Sequence, residues 1–468
     1  MAIPRLNAKL MAIGDSLPQG CRHLTVKASF CAQSWPYRIA QAQGWDFAVP
    51  DHPQEVLFDL EREVRRLSPA FLSPANLSFA GLPGRILENF RAWQKQPGGS
   101  KYECFDNLAV AGAKVYDLYS LTSRNCDVII KQLTTRGEVD VLQHIGDLHL
   151  PINARFVLNP QQKPEYMGFT PLDWVEQRPP EILLVHIGHN HGLFGFGFEA
   201  KDQPSVTQGD HDGLDYWGQW QKVAERLADL PTAVKTILVV LLPKVGAVAA
   251  LHPVSQQRVN GYAPVYEPRV LPVARTLTGT RVAEVDRMIR DTNKSIEKVV
   301  REAAKLKGTD ARLTFIDGYA ALDALDYKNT MESKRRLRLP RNLYVDNRYL
   351  DGKPNFPALF KGTLVAGGYE SIDGMHASGV GYADLASRAM QALGLPHTAK
   401  QRDQLLQRGF LEDTMLSNYP LELDGLIRLI DIARSLIQAN HFIPAAATTL
   451  ADDTHLAATL SMLAGAFT

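Results

Sequence analysis

Residues 10–20 read LMAIGDSLPQG. Four apolar side chains, Leu10 to Ile13, run straight into Gly14-Asp15-Ser16-Leu17, and Pro18 and Gly20 follow. Gly, Asp, Ser and Pro are ordinary turn residues, so one reading is a strand that ends in a turn. The other is a strand whose end presents Ser16 as a nucleophile. The rest of the chain decides between them.

Further short apolar runs stand at KLMAIG (9–14), ECFDNLAV (103–110), EILLVHIG (181–188), KTILVVLLP (235–243) and RLTFIDG (312–318). Runs without strict alternation suit strands covered on both faces, as in a parallel sheet. Helical patterns lie between them. Over 281–306, Val285, Ile289, Ile296, Val299, Val300, Ala303 and Leu306 line one face, and QEVLFDLEREVRRL (54–67) is a second amphipathic stretch. Strands alternating with helices predict an open α/β sheet, with any site at the carboxyl ends of the strands.

The gaps between strands are long, so residues 1–396 read as one core with insertions at about 51–100, 121–178, 245–280 and 325–370. Residues 397–468 read as a helical C-terminal extension. Its Leu421, Leu423, Leu426, Ile427, Ile430, Ile432, Leu436 and Ile437 are too many apolar side chains to leave in water, each large one being worth roughly 1.5–3 kcal/mol on burial. The expectation is a helical brace within the monomer, with a homodimer interface or a lid over the site as alternatives.

The totals narrow the function classes. At 468 residues, with 45% hydrophobic and 22% charged residues, the chain reads as globular with a large core. Its 51 basic and 50 acidic residues nearly cancel, so no global field calls for nucleic acid or an anionic membrane. The longest basic cluster, Lys334-Arg335-Arg336 with Arg338 and Arg341, reads as a solvated loop, or else as an anchor for an anionic substrate group. No window approaches the roughly 18 apolar residues of a membrane span. The N-terminus lacks signal-peptide zones, which predicts a cytoplasmic protein, or a secreted or periplasmic one if a leader is missing. Cys21, Cys31, Cys104 and Cys126 have no metal-ligand spacing; free thiols are expected, with a Cys21–Cys31 bridge as the alternative. The sequons at Asn76 and Asn293 are short enough to arise by chance.

The chemistry gathers at the strand ends. The first yields Gly14-Asp15-Ser16-Leu17, the second NLAVAGA with Asn107 and Gly112, and the third VHIGHNH with Gly188 and Asn190. Near residue 373, SIDGMHASGVGYADLA places Asp373 and His376 three apart, just before a helix. A serine hydroxyl needs a base, and His376 suits that role. On a single helical turn, Asp373 would fix the imidazole's tautomer. The N–H groups of Ser16 and Gly112 and the Asn190 amide would meet the negative charge of a tetrahedral intermediate. Each signal alone has a bland reading as turn, cap or packing glycine. Their order along the chain favours the chemical one.

These four blocks resemble the SGNH, or GDSL-type, serine hydrolase family. The matching positions are Ser16, Gly112, Asn190 and His376 with Asp373. The resemblance covers the core to about residue 396. It implies a flavodoxin-like three-layer α/β/α fold, no metal or organic cofactor, and attack of Ser16 on an ester carbonyl to give an acyl-enzyme. Asp15, Asn107 and Gly188 are expected to support the site. The chain departs from the family pattern at His191, where an aspartate is usual, and in the length of chain after His376.

The expected activity is therefore that of an esterase or lipase-like acylhydrolase on a lipid, sugar or other small-molecule ester. Acyl transfer through the same intermediate, or a binding protein on an inactive scaffold, are the alternatives. A metal reading of His186, His189 and His191 requires all three to converge, which strand alternation opposes. Gly195 to Ala200 fits a dinucleotide fingerprint in letters only: such a fingerprint should open a helix straight after a strand, and KDQPSV follows it here. Pro18 breaks the Gly-x-Ser-x-Gly form of an α/β-hydrolase elbow.

Overall fold

The structure is a computed structural model and describes residues 8–67, 81–94, 99–206, 214–271, 273, 275–355 and 362–439. Four apolar runs form a parallel sheet of β1 (Leu10–Gly14), β2 (Ile182–His186), β3 (Thr236–Val240) and β4 (Leu313–Ile316), in that spatial order. The registers pair Gly14 with His186, His186 with Val240 and Val240 with Ile316, so all four strands end at one level.

The run at 103–110 differs from expectation and forms no regular strand. Asn107 makes one parallel bridge with Ala12. Around it Ala12 N–H donates to Asp106 O (2.9 Å), Leu108 N–H to Ala12 O (2.8 Å) and Val110 N–H to Gly14 O (2.9 Å). The Asp106 side chain is drawn aside to Ala48 N–H (2.6 Å) and to buried Arg178 (2.9 Å), which bends the segment out of a ladder. Counted as an outer rung, it gives the spatial order 2-1-3-4-5 of a flavodoxin-like sheet.

Seven helices position the sheet and its ends: α1 (Ser16–Gln19), α2 (Trp35–Ala42), α3 (Ile145–Leu158), α4 (Leu193–Glu199), α5 (Tyr216–Ala228), α6 (Gly279–Leu306) and α7 (Gly379–Ala392). Strand side chains alternate between two cores. Leu10, Ala12, Leu184 and Leu238 meet Trp35 and Ile39 of α2 and Tyr382, Ala386 and Met390 of α7. Met11, Ile13, Leu183, Val185, Ile237 and Val239 face the other core, with Trp220 and Val223 of α5 and Val282, Val285 and Ile289 of α6. The fold is a three-layer α/β/α sandwich.

Two helical expectations change. Leu306 is 87% exposed, because it sits two residues, about 200° of helix, beyond buried Ala304. The stretch 54–67 is helical only over Leu60–Arg65, which Asp59 caps by accepting Arg62 N–H (3.1 Å); a positive φ of 63° at Leu57 keeps the preceding residues out of the helix.

The extension contributes α8 (Ala399–Glu412) and α9 (Leu421–Ala439). Leu406, Leu423, Leu426, Ile427 and Ile430 are buried in the chain's own main core, while the side chains of Ile432, Leu436 and Ile437 lie outside the described residues. All four cysteines are buried free thiols. The Asn293 sequon is buried in α6, where its amide accepts Leu242 N–H (3.0 Å) and donates to Leu242 O (2.8 Å); Asn76 lies outside the described residues. Among the described residues no helix is long and apolar enough to cross a membrane.

Candidate active site

The end of β1 is shaped by a close approach. Gly14 has φ +147°, and a Cβ there would lie 2.0 Å from His186 O. Asp15 then donates its N–H to His186 O (3.1 Å) and caps α1 by accepting Leu17 N–H (3.2 Å). Its second carboxylate oxygen meets His189 Nδ1 at 2.6 Å. Burial works against the Asp15 charge, but His189, His186 and the Leu17 N–H hold the carboxyl below its ordinary range. Ser16 is thereby fixed as the first residue of α1.

The second block is tied to this turn. Asn107 donates to Pro18 O (2.7 Å) and accepts Ala109 N–H (3.2 Å). Gln19 Oε1 accepts from Ala111 N–H (2.8 Å) and from the Asn153 amide of α3 (2.9 Å). The loop so held puts Gly112 at φ +89°, a left-handed conformation that favours glycine. Among the described residues neither Ser16 N–H nor Gly112 N–H donates a hydrogen bond.

Ser16, His189, Asn190 and His376 open on one cavity of about 50 Å³, walled by apolar residues that include Leu17, Leu193, Phe194, Val248 and Met375. Asn190 follows β2 through Gly188, which packs against Tyr216, and donates to Ala113 O (2.9 Å). That bond uses one of its two amide hydrogens.

Asp373 and His376 meet through a tight turn, not through the helical turn expected. Asp373 Oδ1 accepts the N–H groups of Met375 (2.8 Å) and His376 (2.7 Å). Its Oδ2 accepts Leu24 N–H (2.7 Å) and the Ser371 hydroxyl (2.9 Å), and lies 3.1 Å from His376 Nδ1. The side chain of Asp373 thus closes the turn itself, and α7 starts only after Ser378, its N-cap. Burial would raise the Asp373 pKa, but the imidazole and main-chain donors hold it far below the usual carboxylate range.

The structure brings Ser16 and His376 to one cavity without joining them by a hydrogen bond. The Cys21 thiol also neighbours the imidazole, a contact the sequence reading missed. Burial opposes charge on His376, yet Cys21 and Asp373 raise its pKa well above that of a free imidazole. Burial raises the thiol as well.

The three clustered histidines have different partners, although the His186 and His189 rings pack edge to face at 4.9 Å. His186 packs on Trp35 (5.9 Å between rings), with burial lowering its pKa to about 3; His189 pairs with Asp15; His191 Nε2 accepts Val115 N–H (3.0 Å). Among the described residues no group of three or more His, Cys, Asp or Glu is arranged to hold a metal ion. Compared with known proteins, the chain matches no protein-family model and no curated protein.

Proposed function

We propose that the chain is a serine acylhydrolase of the SGNH or GDSL type, cleaving a carboxylic ester through an acyl-enzyme. The observation that carries this reading is one cavity lined by Ser16, Asn190 and His376, with Asp373 hydrogen-bonded to the imidazole nitrogen. With Nδ1–H pointed at Asp373, Nε2 is left as the basic nitrogen. It takes the Ser16 proton as Oγ attacks the carbonyl, and returns it to the leaving alkoxide. Water repeats the sequence to release the acid. Catalytic hydrogen bonds of this kind often tighten only when substrate binds.

The uncommitted N–H groups of Ser16 and Gly112, with the second amide hydrogen of Asn190, would serve the oxyanion. The small apolar cavity suits an acyl group of a few carbons better than a fatty chain. A series of p-nitrophenyl esters of rising acyl length tests both points. Turnover should fall steeply beyond short chains and vanish in Ser16→Ala; equal turnover by Ser16→Ala would refute the reading.

A further inference from the structure

A second cavity, of about 400 Å³, lies between residues 252–269, the turn at 328–331, residues 348–352 with Ala366, and α9. It falls in the size range of small-ligand sites, and its lining is cationic. Lys328 is 2% exposed, and its ammonium donates only to main-chain carbonyls, those of Val248 (2.5 Å) and Leu251 (2.6 Å). Arg258 likewise donates only to carbonyls, of Ser255, Gln257, Lys328 and Asn329. Arg428 is exposed and makes no hydrogen bond or ion pair among the described residues.

The other charges in the wall are already matched. Arg269 pairs with Asp431 (3.0 Å) and Arg348 with Asp346 (2.9 Å). Asp424 accepts the Tyr419 hydroxyl (2.5 Å). Asp351 is the one lining carboxylate outside such a pair or bond among the described residues. Behind Lys328, Asp326 is held by Lys244 (2.7 Å), and burial raises the Glu370 carboxyl well above the usual range, keeping it neutral. Burial and the positive field of Arg269, Lys328, Arg434 and Arg258 lower the His252 pKa to about 3, so this lining residue stays neutral too.

Lys328, Arg258 and Arg428 therefore face one cavity without a hydrogen-bonded ion pair among the described residues, although burial lowers the Lys328 pKa to about 8 with Asp326 opposing it, and Arg428 lies in the field of Asp424. A buried charge left in that state is costly unless something pairs with it, and guanidinium and ammonium groups together suit phosphoryl or carboxylate oxygens. We propose that this cavity is a binding site for a small molecule carrying two or more negative charges. It is distinct from the Ser16 cavity, although the two share the segment 248–251: the Val248 side chain lines one, and the main-chain oxygens of Val248 and Leu251 hold Lys328 in the other.

The test is calorimetric titration of the full chain with pyrophosphate and, separately, with citrate, at fixed ionic strength. At least one should bind saturably at one per chain, and more weakly as salt rises. Binding of pyrophosphate alone would assign a phosphoryl ligand, and of citrate alone a polycarboxylate. Arg428→Ala, an exposed change that leaves the core untouched, and Arg258→Gln should each weaken binding roughly tenfold. Absence of saturable binding by either anion, or binding unaltered in both variants, would overturn the proposal.

Discussion

Arg22 and Asp413 form a buried ion pair, Nη1 to Oδ2 at 3.0 Å, that ties the C-terminal extension to the loop following α1. Asp413 also accepts Gly379 N–H (2.8 Å) at the start of α7 and lies 3.7 Å from His23 Nε2. The next links reach the candidate site: His23 N–H donates to Ser371 Oγ (3.0 Å), and Leu24 N–H to Asp373 Oδ2 (2.7 Å). The extension thus supports the carboxylate that orients His376.

Asp413→Ala leaves Arg22 buried and unpaired, a loss of about 3–5 kcal/mol when one partner of such a pair is removed. The Asp413 pKa is held low by Arg22 and His23 against the effect of burial. Its contribution is therefore present above the ordinary aspartate pKa and fades as pH falls through the lowered one. Thermal melts at neutral pH should show a large drop in Tm for the variant. An unchanged Tm would show that the pair is not structural. Deleting residues 397–468 should cost at least as much and lead to aggregation.

Asn190 tests the oxyanion assignment. Asn190→Ala should lower kcat by about 10²–10³ with little change in KM, the pattern of a donor used in the transition state. A folded variant with unaltered kcat would remove Asn190 from the chemistry.

The pH profile tests His376. A general base must be neutral, and the His376 pKa is raised, so kcat/KM should fall with acid along a limb centred above about 6.5, the free imidazole value. By the same shift the imidazolium stabilises the fold fully below that value and stops doing so as pH rises through the raised one. Asp373→Asn should bring the limb down while cutting kcat by about 10²–10⁴. A wild-type limb at or below 6.5 would contradict the assigned environment.

The Cys21 contact raises a direct rivalry for the nucleophile. Cys21 is fully buried and does not line the Ser16 cavity, and its thiol pKa is raised. Cys21→Ala should therefore keep kcat within about tenfold, losing only a neighbour of the imidazole. A collapse of activity as deep as that of Ser16→Ala would mark Cys21 as more than packing.

The sheet was legible because buried parallel strands need continuous apolar runs, as in ILLVH and TILVV. The segment at 103–110 was not, because Asp106 binds Ala48 and Arg178, partners 58 and 72 residues away. Ser16 and Asn190 could be named as candidates from residue type at strand ends, and Asp373 and His376 from their place just before a helix. The turn joining Asp373 to His376 could not, since an Asp-x-x-His spacing fits a helix as well. Asp15–His189, Gln19–Asn153 and Arg22–Asp413 span 174, 134 and 391 residues. Nothing in one sequence signals pairings at such separations.

The proposed function stands on Ser16 as the nucleophile of an acyl-transfer reaction. The most direct measurement is mass-spectrometric mapping of the adduct formed by a fluorophosphonate, alongside hydrolysis of a short acyl ester. Ser16 should be modified stoichiometrically with loss of turnover, and Ser16→Ala should show no adduct and no turnover. An adduct on another residue, with turnover retained by Ser16→Ala, would contradict that assignment.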